Sequence, residues 1–367
     1  MDASKRLQSL DTFRGLDMLF IMGLTPVIIA ICNLIPGGAD SWVAHQMHHV
    51  PWHGLTQHDT IFPIFLFIAG MSFPLSIASK RERGVGKGKI WLSVLRRGLV
   101  LVFLGLVYQG FFNFKFHDLR YASVLGRIGL AWMFSAMLFM GLKRSWRVVV
   151  CVSVLVGYWL LLRFVHAPDV PADADPFSLQ GNLCGYVDRQ LLPGRLYQKI
   201  FDPEGILGIL PAIVTAHLGM FTGEFVKDGK MSGGKKTLAM LCAGALMIVL
   251  GFLWGKVFPI NKALWTSSFV LAVGGISLVA FAPLYYIIDV RGWKKWTLFF
   301  RVVGMNSITI YLGQMIIDFR RISDFFLKGT AGLCPELWGK LILAVGYLAV
   351  CWLFLYFLYK KKVFLKV

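Results

Sequence analysis

Residues 60–79 have the sequence TIFPIFLFIAGMSFPLSIAS, an apolar run without a charged side chain. A helix needs about 20 such residues to cross the hydrocarbon core of a bilayer, which is about 30 Å thick. Comparable runs recur along the 367-residue chain, which is 57% hydrophobic, whereas soluble domains are about 45–50% apolar. The sequence therefore predicts an all-α polytopic membrane protein.

About ten spanning helices are predicted, which together form a single transmembrane domain over residues 1–367. They lie near residues 14–35, 58–80, 91–113, 120–141, 147–166, 205–227, 236–256, 263–288, 297–318 and 337–359. The longest segment between them, residues 167–204, is rich in aromatic, glycine and charged residues and is predicted to be an ordered loop. A cleavable signal peptide is not expected, because Arg14 and Asp17 interrupt the start of the first apolar run.

The basic residues indicate the orientation of these helices. With a cytoplasmic N-terminus, more than half of the 38 Lys and Arg residues fall in cytoplasmic segments, among them Lys5, Arg6 and Lys366. Because such residues are enriched on the cytoplasmic side, both termini are predicted to be cytoplasmic and the loop at 167–204 external. The formal charge of +19 then reflects basic loops that attract anionic lipids. A nucleic-acid partner is not expected, because the charges are spread over separate loops.

Several polar residues fall inside the predicted spans, where each needs a partner or water. Asp11, Arg14 and Asp17 are spaced to lie along one face of the first helix and to pair. The others are Arg96, Arg97, Arg127, His217, Glu224, Asn306 and Gln314. Each could simply hold helices together, but their number favours a hydrated cavity. Cys184 and Cys334 fall in predicted external loops, where a disulfide is chemically allowed.

Histidines are concentrated between the first two predicted spans, in a connector predicted to face outward. Five of the chain's eight histidines lie there, and the acidic residue Asp59 follows them: His45, His48, His49, His53 and His58. Histidine suits proton transfer near neutral pH. A metal site formed by His49 and His53 is the alternative. We expect no metal, because Pro51 lies between the two histidines and Gly54 ends any short helix.

Six blocks of the sequence resemble the heparan-α-glucosaminide N-acetyltransferase family of transmembrane acyltransferases, in the family's order. They are SLDTFRGL (9–16), HVPWHGLTQHDTIFPIFLF (49–67), GYVDRQLL (185–192), DPEGILG (202–208), NKALW (261–265) and GMNSI (304–308). The resemblance implies acetyl-CoA as a cytosolic co-substrate and a glucosamine-type acceptor on the other side of the membrane. It implies that His49 is the catalytic histidine and Asp59 its acidic partner. It also points to a bacterial member in the cytoplasmic (inner) membrane, because the region before the first block is short.

Two features depart from the family pattern. The family often has Asn near the end of the first helix, and counting from Asp11 puts Thr25 there. The segment before His49 is also longer than usual. Both are expected to bear on the acceptor site.

The chemistry of acetyl transfer suggests roles for further residues. An amine attacks a thioester only when unprotonated, so a base such as His49 is needed, and the oxyanion needs donors, for which Asn306 and Ser307 are candidates. The phosphates of CoA need cations, for which the candidates are Arg14, Arg96, Arg97 and Arg127. The candidates for sugar binding are Trp52, Asp188, Arg189, Asn261 and Trp265. Asp188 and Arg189 could instead pair with each other, and Trp265 could instead be an interfacial anchor.

Two alternatives remain open at this point. His49 could assist direct transfer, or it could carry the acetyl group transiently. In a different class, a transporter or flippase for a sugar or lipid-linked sugar would also use buried charges, but the sequence shows no inverted repeat and no pair of matching broken helices. The expected partners are acetyl-CoA, an amino sugar and membrane lipids, with a homodimer suggested by analogy.

Overall fold

The computed structural model describes residues 7–171 and 173–365. This part of the chain is helical, and its only strand-like pairing is an isolated bridge between Arg120 and Gly194. The described residues do not include three of the basic residues from which the orientation was predicted, namely Lys5, Arg6 and Lys366. The α-helices are α1 (Gln8–Leu19), α2 (Thr25–Asn33), α3 (Trp42–Gln46), α4 (Gln57–Glu82), α5 (Lys87–Tyr108), α6 (Val124–Gly141), α7 (Arg144–Phe164), α8 (Leu183–Leu191), α9 (Ile209–Lys227), α10 (Gly233–Trp254), α11 (Ser267–Tyr285), α12 (Leu298–Met305), α13 (Ser307–Ile316), α14 (Phe319–Gly332) and α15 (Glu336–Lys360).

The membrane-spanning pattern is confirmed, with one difference from the predicted count. Among the residues that the structure describes, nine helical segments are long and apolar enough to cross a membrane, the first being the continuous segment Gln8–Asn33. The predicted span at 297–318 is instead built from α12 and α13, which are interrupted at Asn306. The protein is therefore an all-helical, multi-pass membrane protein.

Contacts divide the chain into two compact units. The first contains the described residues of Met1–Val50, Thr56–Ile61 and Pro283–Lys366, and the second contains Pro51–Leu55 and the described residues of Phe62–Ala282. In the first unit, α1 and α12 approach closely through glycines. A Cβ added to Gly15 would lie 1.8 Å from the carbonyl oxygen of Phe300, and one added to Gly304 would lie 2.0 Å from that of Asp11. Small residues permit this approach in membrane helices.

Two spans of the first unit are broken. Between α1 and α2 the chain forms a π-helical turn, Phe20–Leu24, in which Gly23 has φ of 143°, a conformation that favours glycine. Between α12 and α13, Asn306 has φ of −125° and ψ of 28°. The first unit therefore contains two interrupted spans, which the hydropathy of the sequence did not indicate. Apolar runs reveal the length of a span, whereas these interruptions depend on single residues inside it.

In the second unit, α4 and α9 also pack closely. Cβ atoms added to Gly70 and Gly219 would meet the carbonyl oxygens of Ala216 at 1.9 Å and Phe67 at 2.0 Å. The described residues of the long segment after α7 make defined contacts within the second unit. It contains α8, whose N-terminus is capped by Asn182.

Two charged contacts hold this segment. Arg120 donates to Asp202 at 2.7 and 2.8 Å, and it also contacts Glu204. Arg189 donates to Asp169 at 2.6 and 2.9 Å. The ring of Phe201, 1% exposed, belongs to an apolar cluster with Phe258 and Leu162, so the segment is packed onto its own unit.

Candidate active site

The connector between α3 and α4 places His49 beside the first turn of α4. The hydroxyl of Ser41 caps α3 by accepting from the amide of Ala44 at 3.2 Å, and α3 ends at Gln46. The amide of Gln57, the first residue of α4, donates to the side-chain oxygen of Gln46 at 2.9 Å. The ends of the two helices are thereby tied together, and the chain between them must turn back on itself.

Asp59 is the centre of this turn. It lies in the first turn of α4 and is 1% exposed. Its Oδ1 is 2.7 Å from Nδ1 of His49, and its Oδ2 accepts from the amides of Val50 and Thr56, each at 3.3 Å. The Thr56 hydroxyl is 2.9 Å from Oδ2 and 2.6 Å from the carbonyl oxygen of His48, so its single proton is shared between them.

The position of Asp59 has an ordinary structural explanation as well. An acid in the first turn interacts favourably with the helix dipole, and its bond to the amide of Thr56 is half of a capping box. These contacts hold the carboxylate in place without using its Oδ1 atom. That atom is directed at the imidazole of His49.

The geometry determines what His49 can do. A neutral imidazole carries one N–H, and Nδ1–H donated to Asp59 leaves the lone pair on Nε2. The buried carboxylate also stabilises the imidazolium that forms when Nε2 takes a proton. The side chain of His49 is 54% exposed, whereas that of Asp59 is 2% exposed. The pair therefore combines a fixed carboxylate with an accessible base.

Sequence reasoning missed two neighbours of this pair. It gave no role to His58, but the His58 ring lies 4.4 Å from that of His49, centroid to centroid. It gave no role to Thr56, whose amide and hydroxyl both contact Asp59. The spacing Thr56-x-x-Asp59 is a capping-box pattern and could have identified Thr56.

The other connector histidines lie elsewhere. His45 and His48 are exposed. His53 belongs to the second unit, where its Nδ1 is 3.3 Å from Nδ2 of Asn261. The surrounding protein lowers the pKa of His53 by desolvation, which the negative charge of Asp175 partly offsets. Within residues 7–171 and 173–365, no group of three or more His, Cys, Asp or Glu side chains is arranged to hold a metal ion.

The predicted sugar-binding aromatic residues are used in packing. Trp265 is 1% exposed and donates from Nε1 to the hydroxyl of Thr215 at 3.0 Å, with the ring of Phe62 edge-on at 4.9 Å. The Trp265 side chain is buried inside the protein, so it is neither an anchor at the membrane interface nor accessible to a sugar. Trp52 is half-buried and donates to the carbonyl oxygen of Phe177 at 2.8 Å.

The polar residues predicted to bind sugar are also committed to the fold. Asn261 is fully buried, and its Oδ1 accepts from the amide of Leu264 at 2.8 Å. Asp188 is fully buried as well, and its Oδ1 accepts from the amide of Ile206 at 2.9 Å. Arg189 pairs with Asp169, so the suggested pairing of Asp188 with Arg189 is wrong. Successive residues on a helix point to different sides.

The four arginines predicted to bind CoA lie in different surroundings within their own units. Arg14 belongs to the first unit, where it pairs with Asp11 at 3.4 Å. The other three belong to the second unit. Arg96 is exposed, and the guanidinium of Arg97 lies 4.3 Å from the centroid of the Trp132 ring.

Arg127 does not have the accessible position that a phosphate ligand needs. It is 2% exposed, donates to the carbonyl oxygen of Gly205 at 3.0 Å, and lies 5.2 Å from the ring of Trp265. This arginine supports the end of the long segment after α7 and offers no open face to a phosphate.

The predicted oxyanion donors lie at the break between α12 and α13. Asn306 is 2% exposed and Ser307 is 6% exposed. Oδ1 of Asn306 accepts from the hydroxyl of Thr309 at 3.3 Å, while its amide nitrogen has no protein partner. Thr25, which stands where the family often has Asn, is 9% exposed and has no partner for its hydroxyl. Three polar groups are thus buried near the interruptions of the first unit.

The cysteines do not form the disulfide that their predicted loops allowed. Cys184 and Cys334 are both free thiols. Cys184 is buried, its Sγ lies 3.3 Å from the hydroxyl of Tyr158, and burial raises its thiol pKa to about 12. It therefore packs as a neutral side chain.

Comparison with known proteins gives two kinds of match. The family described as "Domain of unknown function (DUF5009)" matches residues 6–158. Heparan-alpha-glucosaminide N-acetyltransferase of Homo sapiens is 27% identical over 99% of this chain and 60% of the human protein. The Mus musculus protein of the same name is 29% identical over 100% of this chain and 61% of its own length. This chain thus spans about 60% of the length of the curated relatives it matches. Both similarities extend along the whole of this chain, in agreement with the resemblance that the six sequence blocks indicated.

Proposed function

We propose that this protein is a transmembrane N-acetyltransferase that moves the acetyl group of acetyl-CoA to the amine of a glucosamine-type sugar. The observation that carries the proposal is the His49–Asp59 pair, 2.7 Å apart, with a buried carboxylate and a half-exposed imidazole. The names of the relatives supply the reaction class. The pair supplies the base that this reaction needs.

In direct transfer, the amine nitrogen attacks the thioester carbon while Nε2 of His49 removes a proton from that nitrogen. Asp59 holds Nδ1–H and stabilises the imidazolium. The tetrahedral oxyanion collapses, the carbon–sulfur bond breaks, and the thiolate of CoA takes up a proton. In the second route, Nε2 attacks the thioester carbon, the carbon–sulfur bond breaks, and the CoA thiolate leaves and takes up a proton. The amine then attacks the acetyl-imidazole, the bond from Nε2 to the acetyl carbon breaks, and Nε2 takes up the proton that the amine loses. Both routes use the same tautomer of His49.

The proposal includes a direction across the membrane. The basic ends of the helices favour the cytoplasmic side, where acetyl-CoA would be supplied, and His49 lies in the connector predicted to face outward. We propose acetyl-CoA as the cytoplasmic donor, an acceptor on the opposite side, and a bacterial inner membrane as the location. Asn306 and Ser307 remain candidates for oxyanion donors, because both are buried at the interrupted span.

The test supplies radiolabelled acetyl-CoA and glucosamine to the purified protein in detergent. General base catalysis contributes about 10²–10⁴-fold, so His49→Ala should reduce acetylated product by at least about 100-fold. His45→Ala is the matched control, because His45 is exposed on α3 in the same connector, and it should retain activity. Size-exclusion profiles of both variants check folding. Equal loss in both variants, or full activity in His49→Ala, would contradict the assignment.

A second function is favoured by one observation. The interruptions at Phe20–Leu24 and Asn306 resemble the discontinuous helices that line substrate sites in transporters. A transporter or flippase for a sugar or lipid-linked sugar would use them to expose backbone groups to its substrate. Uptake of labelled sugar into proteoliposomes, together with no acetyl transfer to any amine, would support transport and exclude the acetyltransferase.

A further inference from the structure

The first unit contains an elongated cavity of about 800 Å³. One wall is formed by α2 and the π-helical turn before it, a second by the start of α15, and the third by the end of α13, the start of α14 and the residues between them. The wall along α15 extends from Leu337 to Tyr347, which is about 15 Å at 1.5 Å per residue. This shape suits an extended chain better than a compact polar molecule.

The polarity of the cavity changes along its length. On α15, Lys340, Leu343 and Tyr347 lie three or four residues apart and therefore on one face, so this wall is first charged, then apolar, then aromatic. The inner end is marked by Gly23, whose added Cβ would be 3.0 Å from the Tyr347 ring. There the Gln314 amide donates to the Tyr347 hydroxyl at 2.6 Å.

The middle of the cavity is lined by aliphatic side chains. They are Ile29 and Ala30 on α2, and Leu343 and Ala344 on α15. No carboxylate, amine or guanidinium group lines this part of either helix. A hydrocarbon chain fits such a surface, because it is as apolar as these side chains and needs no polar partner along its length.

The charged end carries two acids and two bases: Asp318, Asp324, Arg320 and Lys340. Asp318 also caps α14 by accepting from the amide of Arg321 at 2.9 Å, and Lys340 pairs with the exposed Glu336 at 2.6 Å. A single anionic group would meet unfavourable carboxylates here, and a single cation would meet unfavourable bases. A zwitterion can place its negative group beside the two bases and its positive group beside the two acids.

Helix α14 indicates where this end lies relative to a bilayer. It is too short to span, and it carries charged residues together with very exposed apolar ones, Phe325 at 83% and Phe326 at 69%. Leu333, next to its end, is 89% exposed. Such a helix lies in the interface, with its apolar side chains among the acyl chains and its charges among the head groups. The charged end of the cavity therefore lies at head-group level.

We propose that this cavity binds one acyl chain of an aminophospholipid, a lipid with a phosphate and a primary ammonium in its head group. The phosphate is held by Arg320 and Lys340, the ammonium by Asp318 and Asp324, and the chain lies between α2 and α15 as far as Tyr347. This lipid site does not depend on the acetyl-transfer proposal. It assigns a role to polar residues that the candidate active site does not use.

The experiment uses phosphatidylethanolamine with a photoreactive group on its acyl chain, reconstituted in nanodiscs with the full chain. After illumination, labelled peptides should map to α2 and α15. Ala344→Trp fills the middle of the cavity and should reduce this labelling by about tenfold or more, equivalent to about 1.4 kcal/mol. Val345→Trp is the matched control, because Val345 is the next residue and 47% exposed; its labelling should be unchanged. If Ala344→Trp does not fold, Ile29→Trp replaces it, because it fills the cavity from the opposite wall and should reduce the labelling in the same way.

Competition with unlabelled lipids tests the head group. Phosphatidylethanolamine should displace the probe, whereas anionic phosphatidylglycerol of the same chain length should be weaker. Arg320→Gln together with Asp324→Asn should remove this difference. Equal competition by both lipids in the unaltered protein, or equal labelling in the Ala344→Trp and Val345→Trp variants, would overturn the proposal.

Discussion

At the scale of single residues, two buried acids show how different surroundings give carboxylates different uses. Asp59 has a histidine and three donor groups around it. Asp188 is equally buried, but one of its oxygens has no protein partner. Desolvation raises the pKa of Asp188 to about 6, and the negative charge of Asp202 acts in the same direction. The amides around it and the charge of Arg127 offset only part of this rise.

The raised pKa of Asp188 predicts a pH-dependent stability. Its pKa is near 4 in an unfolded chain, so between about pH 4 and 6 the folded state binds more protons than the unfolded state. Stability from this group therefore falls as pH rises through 6. Asp188→Asn retains an acceptor for the amide of Ile206 and removes the charge. We expect the variant to melt at a higher temperature than the unaltered protein at pH 7.5, and the difference to shrink at pH 4.5.

The control for this measurement is Asp173→Asn, which changes an exposed acid in the same long segment. Thermal unfolding in detergent is measured at both pH values for the two variants and for the unaltered protein. Each variant is then compared with the unaltered protein at each pH, which gives four differences in melting temperature. A melting difference for Asp188→Asn that is the same at both pH values would show that the carboxylate does not titrate in this range.

At the scale of elements, the packing of α1 against α12 depends on two glycines. Because a Cβ on Gly304 would lie 2.0 Å from a backbone carbonyl oxygen, the two helices must separate to accept it. Overpacking costs about 1–3 kcal/mol, so Gly304→Ala should lower the midpoint of thermal unfolding in detergent. Gly329→Ala, on α14 with no neighbour within 4 Å of its added Cβ, should leave the midpoint unchanged. An unchanged midpoint for Gly304→Ala would mean that the helices are not held this closely.

The elements also show what the sequence could predict. Apolar length located the spans, and the family resemblance paired His49 with Asp59, whose side chains lie 2.7 Å apart. The interruptions at Gly23 and Asn306 were missed, because a single residue breaks a span without altering its hydropathy. The burial of Trp265 was missed as well, because its contacts with Phe62 and Thr215 are distant in sequence. Local patterns predict elements, whereas contacts between distant residues decide which side chains remain accessible.

At the scale of the whole molecule, the orientation of α4 in the membrane bears on where the proposed acetyl transfer would take place. This helix has 26 residues, which is about 39 Å at 1.5 Å per residue, longer than a hydrocarbon core of about 30 Å. A helix of this length that crosses the membrane has its two ends on opposite faces. The connector with His49 precedes it, and Lys80, Arg81 and Arg83 lie at or just beyond its other end. The positive end favours the cytoplasm.

Labelling of engineered cysteines in intact cells tests this orientation. Cys242 and Cys334, neither of them buried, are first replaced by serine, and then His45→Cys or Gly86→Cys is added. Both positions are exposed on the protein, so a difference in labelling between them would not come from burial. An impermeant thiol reagent should label His45→Cys directly, and Gly86→Cys only after the cells are permeabilised. The reverse pattern would put His49 on the same side as the CoA pool, and acetyl transfer would then require no movement of the acetyl group across the membrane.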